Sequence, residues 1–509
     1  MTKKIVVTGL GATTPLGGTA VESWQNLLAG QSGITTLEQE WVAKYELPVT
    51  FAGQARVPSA DVLDRRETKR LDPSSQFALT AAREAWADAG SPEVVPERFI
   101  VDWATGIGAT SPLGGTAAES WTALLAGESG ITTLEQDWVA KYELPVTFAG
   151  QARTPSADVL DRRETKRLDP SSQFALTAAR EAWADAGSPE VVPERFGVDW
   201  ATGIGGVWTL LDGWDTLREK GPRRVLPMTV PMLMPNGPAA AISMGLGARA
   251  GARTVVSACA SSTESIANAY AHLQQGLADI IVAGGSEAAI HPMPLASFAA
   301  MQALSKRNDD PATASRPYDV TRDGFVLGEG GAALVLETEE HALARGAKIY
   351  AELIGGDVTS DSYHITAPDP EGSGAARAVI ATLEAAGVER EQVVHVNAHA
   401  TSTPVGDIAE YRAIKRVFGD HTSKLVVSAT KAATGHLLGG AGAIEAVFTV
   451  KALQEKVAPP TINVTQMDDE IDLDVVLGEP RRLPDGEIVA ISNSFGFGGH
   501  NAVVAFRSV

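Results

Sequence analysis

The sequence predicts an α/β fold made of two related halves, with its first segment present twice. Three observations carry that reading. From Gly206 onward, short apolar strand-like runs alternate with stretches of helical period, which argues for buried sheets covered by helices. Val256-Ser-Ala-Cys259-Ala-Ser-Ser returns in diverged form as Val427-Ser-Ala-Thr430-Lys-Ala-Ala, and Gly328-Glu-Gly-Gly331 returns as Gly496-Phe-Gly-Gly499. Both matches open on a strand and have nearly the same offset, so two halves meet near Ala344 to Tyr350, with equivalent turns facing across a pseudo-twofold axis. Finally, residues 12–99 recur as 109–196 with seven differences: Thr14/Ser111, Val21/Ala118, Gln25/Thr122, Asn26/Ala123, Gln31/Glu128, Glu40/Asp137 and Val57/Thr154.

Composition sets the bounds. A chain of 509 residues, 44% hydrophobic and 20% charged, can bury a large core and reads as soluble and globular. A single cysteine excludes an internal disulfide framework and suits a reducing, cytoplasmic compartment. The apolar run Ile5 to Val7 is too short for a secretory signal, and no stretch approaches a membrane span. A formal charge of −20 argues against nucleic acid, and an acidic partner would need a local basic patch.

In chain order, IVVTGLG (5–11) and VDWATGIG (101–108) both end in Thr-Gly-X-Gly and lead into the repeated unit, as a duplication by slippage at that tetrapeptide would leave them. Two copies are too few for a solenoid. Thr8-Gly-Leu-Gly11 lacks the full dinucleotide fingerprint. Asp72-Pro73 and Asp169-Pro170 read as N-cap and N1 proline of helices ending near Gly90 and Gly187. Basic clusters precede them: Arg65, Arg66, Lys69, Arg70, and Arg162, Arg163, Lys166, Arg167. A further basic turn holds Arg223 and Arg224. Taken alone, each is a solvated charged face. The chain divides into 1–108 (the surplus copy with the initial strand), 109–345 and 346–509, and copy 2 is expected in the native position.

Thr254 to Ala258 reads as a buried strand and Ile266, Ala269, Tyr270 and Leu273 as the face of a helix, which puts Cys259 where strand turns into helix. Free backbone N–H groups and the helix dipole there favour a thiolate. A lone cysteine is otherwise a structural one. Three more turns are composed for chemistry: Asn397-Ala-His399-Ala-Thr-Ser-Thr403, Lys431-Ala-Ala-Thr-Gly-His436 and Asn493-Ser-Phe-Gly-Phe-Gly-Gly499. Two histidines on small polar turns beside a strand-end cysteine make a nucleophile with proton donors.

SACASS, NAHATSTPVGD, KAATGHLLGGAG and NSFGFGGHN together resemble the β-ketoacyl-[acyl-carrier-protein] synthase II family, condensing enzymes of the thiolase superfamily. The resemblance spans the chain apart from one 97-residue unit. It departs from the usual pattern at Ala400 and His500. It implies a thiolase-like fold of two αβαβα halves, a homodimer, and decarboxylative condensation of malonyl-[acyl-carrier-protein] with an acyl chain on Cys259. By the same resemblance, His399 and His436 stabilise the enolate, and Lys431, paired with Glu410, orders charge around them. Asp407 and Glu445 support the site, the N–H groups of Cys259 and Phe497 form the oxyanion hole, Phe497 gates it and Phe298 walls the acyl pocket. Arg162, Arg163, Lys166, Arg167, Arg223 and Arg224 would dock acyl carrier protein. No metal or cofactor is implied, since the substrates ride on the carrier's phosphopantetheine. A polyketide or very-long-chain ketosynthase, or a non-catalytic carrier-binding chain, are the competing readings.

Overall fold

The computed structural model describes residue 10 and residues 12–45, 49–88 and 102–509. The chain forms two compact units: residues 1–97 with 214–225, and residues 98–213 with 226–509.

The larger unit is organised on ten strands: β1 (Asp102–Thr110), β2 (Phe196–Ala201), β3 (Gly251–Val255), β4 (Ile280–Glu287), β5 (Gly330–Thr338), β6 (Ala351–Ser360), β7 (Val393–Asn397), β8 (Val426–Ser428), β9 (Val489–Gly496) and β10 (His500–Arg507). Their order is β8-β7-β9-β10-β6-β1-β5-β4-β2-β3. Read outward from the centre, β6-β10-β9-β7-β8 repeats β1-β5-β4-β2-β3 element for element. The halves join where β6 pairs antiparallel with β1, Ala351 opposite Ala104 and Leu353 opposite Asp102.

Helices α1 (Pro170–Asp185) and α3 (Ser373–Ala386) cover the outer faces of the two halves. Between the halves lie α2 (Ser261–Gln274) and α5 (Ala441–Glu455), each packed on strands of both. The layers are therefore α, β, α, β, α. Helix α5 is buried on every side, from Ala441 to Leu453, as a helix in the middle of five layers must be. The Thr-Gly-X-Gly of β1 serves packing. A Cβ on Gly106 would lie 2.3 Å from the Ala182 carbonyl, and one on Gly108 2.2 Å from that of Ala178, so glycine lets α1 rest on the strand. Asp169 caps α1 through Ser171 N, with Pro170 at its first position, and Gly187 follows its end at φ +84°. Among the described residues no helix is long and apolar enough to cross a membrane.

One strand differs from the sequence expectation. The strand before Cys259 is Gly251–Val255 rather than Thr254 to Ala258, and it is a half-exposed sheet edge rather than buried. The peptide leaves the sheet early because Ser257 to Ala260 curl into a 3₁₀ turn.

The smaller unit shows copy 1 forming the same local elements as copy 2. Thr19 caps Ala20–Leu28 as Thr116 caps Ala117–Leu125, Ile34–Thr36 pairs with Phe51–Gly53, and Pro73–Asp88 follows Asp72. Local sequence thus dictates local structure in both copies, but burial differs. Trp24 is 60% exposed where Trp121 is 3%, Leu27 56% where Leu124 is 1%, and Phe51 59% where Phe148 is 1%. Phe77 is also exposed; the Trp86 side chain, Gly90 and residues 3–9 lie outside the described residues.

Copy 2 carries core contacts, among them Trp121 Nε1 donating to Glu455 Oε2 at 2.9 Å. Leu124→Ala is therefore expected to lower unfolding stability by about 2–5 kcal/mol, and Leu27→Ala by about 0.5 kcal/mol or less, in denaturant titrations. Limited proteolysis should cut within the first 100 residues before it cuts elsewhere; uniform resistance would contradict the exposure of copy 1.

Candidate active site

Four strand ends of the larger unit carry the chemistry. The turn after β3 holds Cys259, the turn after β7 holds His399, the turn after β8 holds Lys431 and His436, and the end of β9 holds Phe495 to Phe497. The pseudo-symmetry makes the Cys259 and Lys431 turns equivalents, each following the outermost strand of its half. Cys259, Phe298, His399, Glu410, His436 and Phe497 all line one cavity of about 420 Å³.

Backbone strain aims the nucleophile. Ala258 has φ +51°, a region that costs a non-glycine residue about 1–3 kcal/mol and recurs at functional turns. The following peptide turns Cys259 into the cavity ahead of α2. A Cβ on Gly496 would lie 2.7 Å from the Ser257 carbonyl and 3.0 Å from Cys259 N, so only glycine lets the β9 end approach this turn. The backbone N–H groups of Phe497 and of Cys259 itself favour charge on the sulfur.

The expected thiolate is corrected by burial. Desolvation pushes the Cys259 thiol up to about 12, against the opposing pull of Lys431 and the two N–H groups. Helix dipole and N–H groups are present, as the sequence implied, but loss of water outweighs them. The resting nucleophile is a thiol.

The two histidines are buried and their rings meet edge to face, centroids 5.4 Å apart. Burial holds both well below the usual 6.5, Lys431 pushes them further down, and His436 does the same to His399. Both are neutral imidazoles at pH 7. In each, Nδ1 is buried without a partner among the described residues, which favours the tautomer with the proton on Nε2.

The pairing of Lys431 with Glu410 is also corrected: Lys431 Nζ pairs with Glu445, and both are buried. Helix α5 carries Glu445 directly across from the start of the Lys431 turn, whereas Glu410 lies on α4 (Pro404–Phe418) and holds backbone. Glu410 accepts from His399 N at 2.9 Å, Ala400 N at 2.7 Å and Asn493 Nδ2 at 3.0 Å, fixing the His399 turn to β9. Burial raises the carboxyls of both Glu410 and Glu445, and Lys431 lowers both. Asp407 is one step further out, accepting from Tyr318 N at 3.0 Å and lying 3.5 Å from Arg322 Nε.

Phe298 packs edge-on against Phe325, centroids 5.4 Å apart, and Phe325 against His436 at the same separation. Phe495 packs against His399 at 5.7 Å. Phe325 and Phe495 were given no role by the sequence reading: Phe325 sits in an apolar stretch that reads as core, with its place beside the Gly328 turn as one signal, and Phe495 stands in the Asn493 to Gly499 turn, where the resemblance singled out Phe497. Arg162, Arg163, Lys166 and Arg167 are exposed on the short helix Arg162–Arg167 of the larger unit. Arg223 and Arg224 are exposed in the other unit.

Comparison with known proteins supplies the family. The β-ketoacyl synthase N-terminal domain matches twice, over residues 2–105 and 103–342, and the β-ketoacyl synthase C-terminal domain matches residues 350–465. A 3-oxoacyl-[acyl-carrier-protein] synthase 2 of Mycobacterium bovis is 46% identical over 403 residues, 79% of this chain and 96% of the relative. One of Staphylococcus aureus is 46% identical over 407 residues, 79% of this chain and 97% of the relative. Among solved structures, a type II PKS acyl carrier protein in complex with its ketosynthase, bound to the hexaketide, aligns at TM-score 0.74 and 31% identity. That alignment covers 81% of this chain and 100% of the other.

Two predictions follow from burial. Unfolded histidine binds a proton near pH 6.5 whereas His399 and His436 do not, so stability is full above that pH and falls as pH drops below it. Denaturant titrations between about pH 6.5 and 5.5 should show this slope, reduced in His399→Gln/His436→Gln. Glu445→Ala strands a buried ammonium and should cost about 3–5 kcal/mol, read by the same titration.

Proposed function

The chain belongs to the β-ketoacyl synthase family, and from that premise we propose that it condenses malonyl-[acyl-carrier-protein] with a Cys259-bound acyl chain in fatty-acid elongation. The observation that carries this is the convergence of one thiol and two neutral imidazoles on a single buried cavity. The 46% identity to elongation synthases, against 31% to the polyketide ketosynthase, favours elongation.

The geometry supports a two-stage reaction. Cys259 sulfur attacks the thioester carbonyl of the acyl carrier; its C–S bond breaks and the departing carrier thiolate takes the proton from Cys259. Because the resting group is a thiol, proton transfer accompanies attack rather than preceding it. The tetrahedral oxyanion receives the N–H groups of Cys259 and Phe497, which already favour charge on the sulfur. Malonyl carrier then enters. Loss of CO₂ leaves an electron pair on the enolate, whose oxygen accepts Nε2–H from His399 and His436. Neutral donors serve here, because an imidazolium would surrender its proton to the carbanion. The carbanion attacks the acyl carbonyl, a C–C bond forms, the C–S bond to Cys259 breaks, and the released thiolate takes a proton from solvent, because its original proton left with the carrier thiol.

Burial keeps both histidines neutral, and Lys431, held by Glu445, adds to that effect. Glu410 and Asp407 hold the His399 turn, Phe497 gates the cavity and Phe298 walls it. No cofactor is needed beyond the carrier's phosphopantetheine, and the protein works in the cytoplasm. Acyl carrier protein docks on the exposed Arg162, Arg163, Lys166 and Arg167; an acidic carrier needs such a patch on a chain of charge −20. The chain acts as a homodimer through β3, an outermost strand with one side unpaired, flanked by the exposed Met244 and Val256.

Intact-mass analysis after incubation with medium-chain acyl carrier protein should show one acyl adduct on the parent and none on Cys259→Ala. No adduct on either, with carrier intact, would refute the reading.

A further inference from the structure

The turn at Thr202 to Gly205, which ends β2, and the turn at Leu437 to Gly440, which opens α5, come from opposite halves and meet backbone to backbone. A Cβ on Gly439 would lie 2.0 Å from Gly203 N, and one on Gly203 3.2 Å from Gly439 N. At that seam stands one carboxylate, Glu287, at the end of β4 and fully buried. Its Oε2 accepts from Gly203 N at 2.7 Å and Gly439 N at 3.1 Å, and its Oε1 from Thr202 Oγ1 at 3.0 Å. Ile204 N lies 3.4 Å from Oε1. Each turn also delivers an apolar side chain to the cavity beside Cys259: Ile204 from one, Leu438 from the other. Leu438 is held at φ +47°, a conformation that leucine keeps only when its surroundings enforce it.

We propose that Glu287 is a positioning residue that clamps these two turns together and so fixes the Ile204 and Leu438 walls of the channel past Cys259. A carboxylate suits the seam because every group facing it is a donor, and its two oxygens serve both halves at once. Glutamine would turn an amide NH₂ toward one of those N–H groups and release that turn. The mechanism assigns Glu287 no proton and no contact with the reacting atoms. Burial raises its carboxyl to about 7 against these hydrogen bonds, and in the charged form it opposes ionisation of Cys259.

The inference rests on the reading of Cys259 as the acyl acceptor, so its test has one arm that does not. Acylation rates of Glu287→Gln are measured by intact mass with acetyl and octanoyl carrier protein, together with the rate of Cys259 alkylation by iodoacetamide. Displaced walls should slow octanoyl transfer by about tenfold or more and acetyl transfer by about twofold or less. Loss of the carboxylate charge should speed alkylation by about threefold or more. Equal loss at both chain lengths, or no loss, would overturn the clamp. If the parent accepts no acyl group, the functional reading fails and amide hydrogen exchange decides alone: Gly203 and Gly439 N–H should exchange about tenfold faster in Glu287→Gln, and unchanged rates would overturn the clamp. Should Glu287→Gln fail to fold, Thr202→Val removes one donor to the same carboxylate and is expected to shift the octanoyl-to-acetyl ratio in the same direction; an unchanged ratio would overturn the clamp.

Discussion

Removal of Cys259, His399 and His436 from water is the constraint on which the site depends, because it fixes the protonation state of all three. Desolvation disfavours charge whatever its sign, so it raises the Cys259 thiol and lowers both histidines together. A site built of a thiolate and an imidazolium would hold a stable ion pair and a poor enolate donor. Here Lys431 is buried as an ion pair with Glu445. Lys431 then acts at a distance, opposing protonation of both imidazoles while easing ionisation of the thiol. The same ammonium thus favours the reactive form of all three groups.

That burial follows from the layering. Catalytic turns sit at strand ends, normally the wettest part of an α/β fold. Pseudo-twofold pairing brings the ends of β3, β7, β8 and β9 toward one another, with α2 and α5 between the halves, so each half roofs the other. Close approach needs glycine on the facing backbones, and Gly203, Gly439 and Gly496 all lie where a Cβ would strike the opposite turn. Polar groups left in such a seam need partners of their own. Glu410 and Glu287 supply them from either side, each spending its carboxylate on backbone N–H groups of loops rather than on a cation.

The α/β class, the two halves and the cavity residues Cys259, His399 and His436 were legible because each left a local mark: a strand-to-helix switch, a small polar turn, a repeated motif. What escaped depended on long-range geometry. Glu410 and Glu445 are both acids on helices following a catalytic turn, and nothing in their spacing says which reaches Lys431. The thiol's state was misread because helix dipole and N–H groups are local features, whereas desolvation is a property of the assembled cavity. Phe325 and Glu287 were invisible for a related reason, since an apolar run or a strand-end acid looks the same whether or not another turn folds over it.

The duplicated unit isolates this difference between local and assembled structure within one chain. Copies that differ at seven of 88 positions form the same caps, hairpin and helices, yet Trp24 and Leu27 stay exposed while Trp121 and Leu124 are buried. Secondary structure therefore needs only the segment; the core needs the partner surface. The seam makes the same point. DWATGIG occurs at 102–108, where all of it is strand, and at 199–205, where only Asp199 to Ala201 stay in the sheet and the rest turns away. At the second site Asp199 receives His272 Nδ1 at 2.9 Å. At the first, Asp102 meets Gln274 Nε2 at 2.7 Å, and burial lifts its carboxyl to about 7. By the repeat's offset, Ile5 stands where Asp102 does, so an apolar residue has given way to a buried acid in the strand that joins the two halves. The ladder tolerates the exchange because backbone hydrogen bonds do not depend on side-chain identity, and its cost falls on the one carboxyl.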